Sequence, residues 1–258
     1  MTTGVGSAGD RQRVPTDSLI HRTPSRSPGF AAAFAHALPM SSWSRNVRLM
    51  PTMPKTIFWS RTDTAGSEQV LLDDGHGLTA RGTLLAVDPI PWTARYQLTT
   101  APDWTTTRVE VEAEGLGWLR RVKLERATDR WRVTTAEQGD LDAALVAAGH
   151  PRAGLPGTDD PDRLADALDV DLSGSPLFNS LPVHRLGLAA EPADLAHRIT
   201  VAWVLLPGLE VVAAEQIYSG LGPGRVRFAS GTFTADIDLD DSGFVVRYPG
   251  LAERIDPR

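Results

Sequence analysis

The stretch DVDLSGSPLFNSLPVHRLGL, Asp169 to Leu188, gathers the side chains of this 258-residue chain best placed to do chemistry. Asp169 and Asp171 stand two apart, so on a strand they point to one face while Val170 and Leu172 point to the other. His184 and Arg185 follow a short predicted helix and can return over that face. Two carboxylates beside a histidine supply the parts for general acid–base work on a small polar substrate. The same residues also have a purely architectural use. Arg185 can neutralise the acids at the entrance of the helix, and Asn179 can satisfy a turn, because ion-pair networks imitate active sites. Ser175 is no nucleophile by its context: no G-x-S-x-G occurs, and Pro176 occupies the position where an elbow needs a free N–H. It reads instead as a helix N-cap with Pro176 at the first helical position.

A second polar cluster lies in LEVVAAEQIYSG, Leu209 to Gly220. Alternation places Val212, Ala214, Gln216 and Tyr218 on one face and Val211, Ala213, Glu215 and Ile217 on the other. Whichever face is buried therefore carries a polar group, which costs stability unless it is hydrogen-bonded. A ligand pocket with a few placed polar groups accounts for this. A closed polar network accounts for it equally well.

Other chemistries find little support. There is no cysteine, which removes thiolate nucleophiles, disulfides and cysteine-ligated metals. The six histidines (21, 36, 76, 150, 184, 197) include no i, i+4 pair, so no zinc site is expected. Asp236, Asp238 and Asp240 share a strand face but lack the ligand spacing of a calcium loop and read as a solvated acidic face. Gly220–Gly224, GLGPG, has no following helix and no Lys-Ser/Thr, so it is a hairpin turn and not a phosphate loop. Nothing calls for a cofactor. The formal charge of −6 divides unevenly, since residues 1–52 hold six arginines against two aspartates. The remaining acidic body disfavours nucleic acid and anionic membrane surfaces, but not a neutral or sugar-bearing ligand. No apolar run approaches the ~20 residues of a membrane-spanning helix.

The elements that must position these residues are mostly strands. WTARYQLTT (92–100), RVEVEAE (108–114) and GTFTADIDLD (231–240) alternate apolar and polar side chains, the mark of strands with one face buried. ITVAWVLL (199–206) is apolar on both faces and should be covered on both. Turn sequences recur at the roughly 8–12-residue spacing of an all-β chain. Helices are predicted over Gly139–Gly149, with Asp140 as N-cap; over Asp159–Leu168; and from Ser175-Pro176 to about Leu181, ending near Pro182. Residues 1–53, rich in Ser, Thr, Pro, Gly and Arg, read as a disordered or non-native extension. Within them Phe30–Leu38, with Ala33-Phe34-Ala35 as a cleavage site, is the alternative of a short secretory signal. Without it the compartment expected is the cytoplasm.

ALDVDLSGSPLFNSLPVHRLGL, ITVAWVLLPGLEVVAAEQIYSG and GTFTADIDLDDSGFVVRYPGLAERI, preceded by FWSRTD, ARGTLLAV, ARYQLTTAPDWTTTRVEV and DRWRV, resemble the "putative glycolipid-binding" family with the spiral β-roll fold. The resemblance runs from about Ile57 to Ile255. It implies a mainly β (α+β) domain over residues 54–258: a long, largely antiparallel sheet wrapped around one main helix, similar in general shape to periplasmic lipoprotein carriers and assembled as a homodimer. His184 stands where the family carries a basic residue, and a helical insert about 139–168 lengthens the usual link. The function implied is non-enzymatic binding of an amphiphile such as a glycolipid, with Asn179, Arg185, Gln216, Tyr218, Asp169 and Asp171 meeting its head or ordering the mouth. The alternatives are a small-substrate hydrolase or isomerase using Asp169 and Asp171 with His184, and a dimerisation module with a filled core.

Overall fold

The computed structural model describes residues 56–73, 77–128, 130–189 and 195–256. The predicted extension over residues 1–53 and its signal alternative lie outside them.

Seven strands come first: β1 (Thr56–Arg61), β2 (Gly66–Asp73), β3 (Thr79–Ala86), β4 (Trp92–Thr100), β5 (Thr106–Gly115), β6 (Trp118–Ala127) and β7 (Arg130–Gly139). Helix α1 (Leu141–Ala147) and a 3-10 turn (Pro161–Leu164) lead to β8 (Ala167–Leu172) and helix α2 (Pro176–Arg185). Six strands close the chain: β9 (Ala196–Leu205), β10 (Glu210–Gly220), β11 (Arg225–Ser230), β12 (Phe233–Leu239), β13 (Val245–Tyr248) and β14 (Ala252–Arg254). All fourteen form one sheet in the order β7-β6-β5-β4-β3-β2-β1-β14-β13-β12-β11-β10-β9-β8. The chain therefore zigzags outward from the middle, crosses to the far end of the sheet, and zigzags back until β14 pairs with β1. The protein is mainly β with two short helices, as its patterning predicts.

Every pairing is antiparallel except β8 with β9. A parallel pair needs a crossover connection, and α2 is that crossover. It runs inside the sheet: Pro176 through Val183 are all buried. Its side chains meet both arms, Phe178 edge-on to Tyr96 of β4 and Ser180 accepting from the Val245 N–H of β13. The two ends of the sheet approach without sharing a main-chain ladder. Trp131 of β7 donates to the Ala167 carbonyl at 2.9 Å, Arg120 of β6 to the Gly208 carbonyl at 3.1 Å, and Thr106 of β5 accepts from the Val170 N–H at 3.4 Å. These side chains satisfy edge groups that an open sheet would expose.

Helix prediction held at α1, where Asp140 caps the Ala143 N–H at 2.8 Å. Over Asp159–Leu168 the expected helix is only a 3-10 turn, Pro161–Leu164, followed by β8 from Ala167. Ala167 is drawn into the sheet by Thr200 and by the Trp131 indole, and that tertiary pairing overrides local preference. Helix α2 continues past its expected end, with Pro182 inside it. The proline deletes one hydrogen bond toward Phe178, but burial of the surrounding residues holds the axis, and the Leu186 N–H bonds the Pro182 carbonyl at 2.9 Å.

Candidate functional site

On β8, Val170 and Leu172 join the large apolar core, while Asp169 and Asp171 face the other way with the helix. The pairing of β8 with β9 and of β9 with β10 sets Asp171 beside Trp203 and Trp203 beside Val212. One face therefore collects Asp169, Asp171, Trp203, Gln216 and Tyr218. The tertiary structure decides the ambiguity in β10: Gln216 and Tyr218 are buried and Glu215 is exposed.

A hydrogen-bonded chain crosses this face. The Asn179 amide of α2 donates to the Tyr218 hydroxyl at 2.9 Å, that hydroxyl to the Gln216 carbonyl oxygen at 3.2 Å, and the Gln216 amide to Asp171 at 2.7 Å. Asn179 is thus a helical residue reaching the sheet, and not a turn residue. Asp169 is 1% exposed and is gripped by Arg185 through three contacts of 2.6 to 3.1 Å. Burial nevertheless raises the Asp169 carboxyl above its ordinary range, against the lowering effect of Arg185. Asp171 has no cationic partner among these contacts, and desolvation pushes it up to about 6.

Asp171, Asn179 and Gln216 open into a cleft of about 600 Å³. Its walls are Trp203, Phe228, Phe233, Tyr248 and Leu251, and its rim includes Ser173, Ser230 and Thr232. Phe228, Phe233 and Tyr248 pack with ring centres 6.0 to 6.3 Å apart. Phe233 stands 48% exposed at the lip. Local sequence patterns do not single out these aromatics, Trp203, Phe228, Phe233 and Tyr248, which come from four separate strands and converge only in the fold.

Behind the rim lies a second buried polar group. Glu68 of β2 is fully buried and accepts at one oxygen from both Tyr96 and Ser175, each at 2.6 Å, leaving its other oxygen without a hydrogen-bond partner. Desolvation raises Glu68 to about 7. Ser175 therefore occupies the N-cap position, but its hydroxyl serves Glu68 and makes no capping bond. The signal for Glu68 was present in GSEQVLLD, where it alternates in phase with Val70 and Leu72. Gly82 makes this contact possible: a Cβ there would meet the Tyr96 ring at 2.1 Å.

The predicted residues divide accordingly. Asn179, Gln216, Tyr218 and Asp171 are brought together at the cleft, and Asp169 with Arg185 forms a neighbouring ion pair. His184 goes elsewhere. It stacks on Trp104 with ring centres 3.7 Å apart, and burial lowers its pKa to about 4. Among the described contacts no hydrogen bond or ion pair joins it to Asp169 or Asp171. The acidic run is ion-paired, Asp236 with Arg227 and Asp238 with Arg225 on the solvated surface of β12, and Asp240, just past the strand, with Arg254. Among the described residues no group of three His, Asp or Glu side chains is arranged to hold a metal. No described helix is long and apolar enough to cross a membrane.

A single long sheet wound over a buried helix, with an aromatic cleft floored by amides and an acid, defines a β-roll protein with a small-molecule-sized cavity. The chain belongs to the family described as "Putative glycolipid-binding", whose model matches residues 56–254. A crystal structure of a DUF1089 family protein from Pseudomonas aeruginosa is similar in fold, with a TM-score of 0.59 and 23% identity, covering 76% of this chain and 95% of that one. No curated protein matches the chain.

Proposed function

We propose that the protein binds an amphiphile, a glycolipid or a molecule of like build, in the cleft between α2 and strands β8 to β13. The observation that carries this reading is the opposition of two surfaces across one cavity. Trp203, Phe228, Phe233 and Tyr248 offer apolar and aromatic area, while Asp171, Gln216 and Asn179 present hydrogen-bonding groups already ordered by Tyr218. A volume of about 600 Å³ falls within the roughly 300–1,000 Å³ of ordinary ligand pockets. Hydroxyl groups of a sugar would meet the amides and carboxylate, and its ring or chain the aromatics. Each methylene buried adds about 0.8 kcal/mol, so binding needs no covalent chemistry. Asp169 and Arg185 order the floor from one side and need not touch the ligand. The homodimer implied by the family belongs to the same reading and is checked by light scattering.

Native mass spectrometry of protein purified from its own host, followed by organic extraction, tests the proposal. A stoichiometric amphiphile is the expected result. Protein that stays bare after incubation with total host lipid overturns it. Phe233→Ser, at an exposed lip position, should leave the fold intact and weaken capture. The hydrolase alternative lacks the contact between His184 and the acids that it was built on.

A further inference from the structure

We propose, resting on the amphiphile reading, that the head group this cleft selects carries a protonated amine, with Asp171 as its counter-ion. Among the described residues lining the cleft, Asp171 is the one side chain that bears a full charge. The cations nearby are already committed. Arg185 holds Asp169, and Arg61, behind Gly174, is bound by Asp63 through two contacts of 2.9 and 2.6 Å. Asp171 receives the Gln216 amide but no cation, an arrangement in which a carboxylate is poorly compensated.

The walls point the same way independently. Trp203 and Tyr248 line the cleft with Phe228 and Phe233, and aromatic faces attract a cation through their quadrupoles, tryptophan most strongly. An ammonium held between these rings and Asp171 would make charge-assisted hydrogen bonds, which are shorter and stronger than neutral ones. A phosphate or carboxylate head would meet a like charge with no free arginine or lysine in the lining to offset it. The formal net charge of −6 adds repulsion at longer range.

Because Asp171 sits at about 6 in the free protein, capture of an amine should weaken as acid protonates it. The other ionisable groups around it are the Asp169–Arg185 pair on β8 and α2, the Tyr218 hydroxyl on β10 and the Tyr248 hydroxyl on β13. Both phenols are held neutral by burial and by the field of Asp171. Glu68 lies behind Ser175.

Isothermal titration of the full chain with dodecyl glucoside, dodecyl glucosaminide and dodecyl phosphate, each below its micelle point, decides the matter. The amine is expected to bind roughly tenfold or more tightly than the neutral glycoside, and the phosphate least. Asp171→Asn should remove the preference, read as the ratio of the amine's affinity to the neutral glycoside's falling to about one, whatever each affinity becomes. If that variant does not fold, the wild-type protein gives the same answer, because the preference should fade below about pH 6. Equal affinity for amine and neutral glycoside, or a preference for phosphate, overturns this inference and leaves the amphiphile reading standing. Failure of all three compounds to bind overturns both.

Discussion

Glu68 and the Asp169–Arg185 pair show how differently two buried acids can be accommodated. Glu68 has hydroxyl donors but no cation in hydrogen-bond contact, so burial lifts its pKa from 4.5 to about 7. The folded protein then holds a proton that the unfolded chain has released between those values. Stability contributed by this group is full below about pH 4.5 and is lost as pH rises through about 7, on the order of 3 kcal/mol. Glu68→Gln keeps an oxygen for Tyr96 and Ser175 and cannot ionise. Urea unfolding should show the variant more stable than wild type near pH 8 and close to it near pH 4. Asp169, by contrast, has Arg185. Arg185→Met should cost about 3–5 kcal/mol, because it strands a buried carboxylate. Adding Asp169→Asn should recover much of that loss, and a double-mutant cycle measures the coupling.

At the scale of elements, two devices let a meander become a roll. Glycine at position 82 of β3 lets the Tyr96 ring lie flat across the neighbouring strand and reach Glu68. Gly82→Ala would drive a methyl group into that ring and should cost about 1–3 kcal/mol by overpacking, read as a lowered urea midpoint. The other device is the seam where β5, β6 and β7 reach β8 and the turn after β9 through side chains. Trp131→Phe keeps the packing of the ring but leaves the Ala167 carbonyl without its donor, an expected loss of about 1–3 kcal/mol. Hydrogen exchange should quicken along β8 in this variant before it quickens in β3 and β4, if the seam is what protects that edge.

For the molecule as a whole, the titrating groups oppose one another. Glu68 and Asp171 both release protons on unfolding, so their contributions fall as pH rises toward about 7 and about 6. His184 acts in the opposite sense: burial lowers it from 6.5 to about 4, so its contribution is full above about pH 6.5 and is lost as pH falls through about 4. These terms partly cancel in the acid range, and above about pH 6.5 only the decline from Glu68 continues. His184→Phe retains a ring against Trp104 and Phe244 without the charge. Its melting temperature relative to wild type should rise steadily from pH 7 to pH 4, on the linkage just given. Ligand binding acts on the same balance. An amphiphile at a hundred times its Kd should add about 2.7 kcal/mol to the stability of the folded roll.

Local alternation determined a great deal. Val109, Val111 and Ala113 of β5 and Trp92, Ala94, Tyr96 and Leu98 of β4 are all buried, because a strand with a period of two has only one way to hide such side chains. The same rule brought Asp169 and Asp171 to one face and showed that β10 must bury a polar group on either face, Gln216 with Tyr218 or Glu215. The partners themselves lay beyond local rules. Trp203, Phe228, Phe233 and Tyr248 meet because β9 to β13 are neighbours in the sheet, and Glu68 meets Ser175 across 107 positions of sequence. His184 shows the limit most plainly. Its place next to Arg185 allowed a role with the acids, yet successive residues of a helix point in different directions. Arg185 turns to Asp169 while His184 turns to Trp104. Periodicity fixes which side of its own element a residue takes, but what stands opposite depends on how the sheet winds around α2.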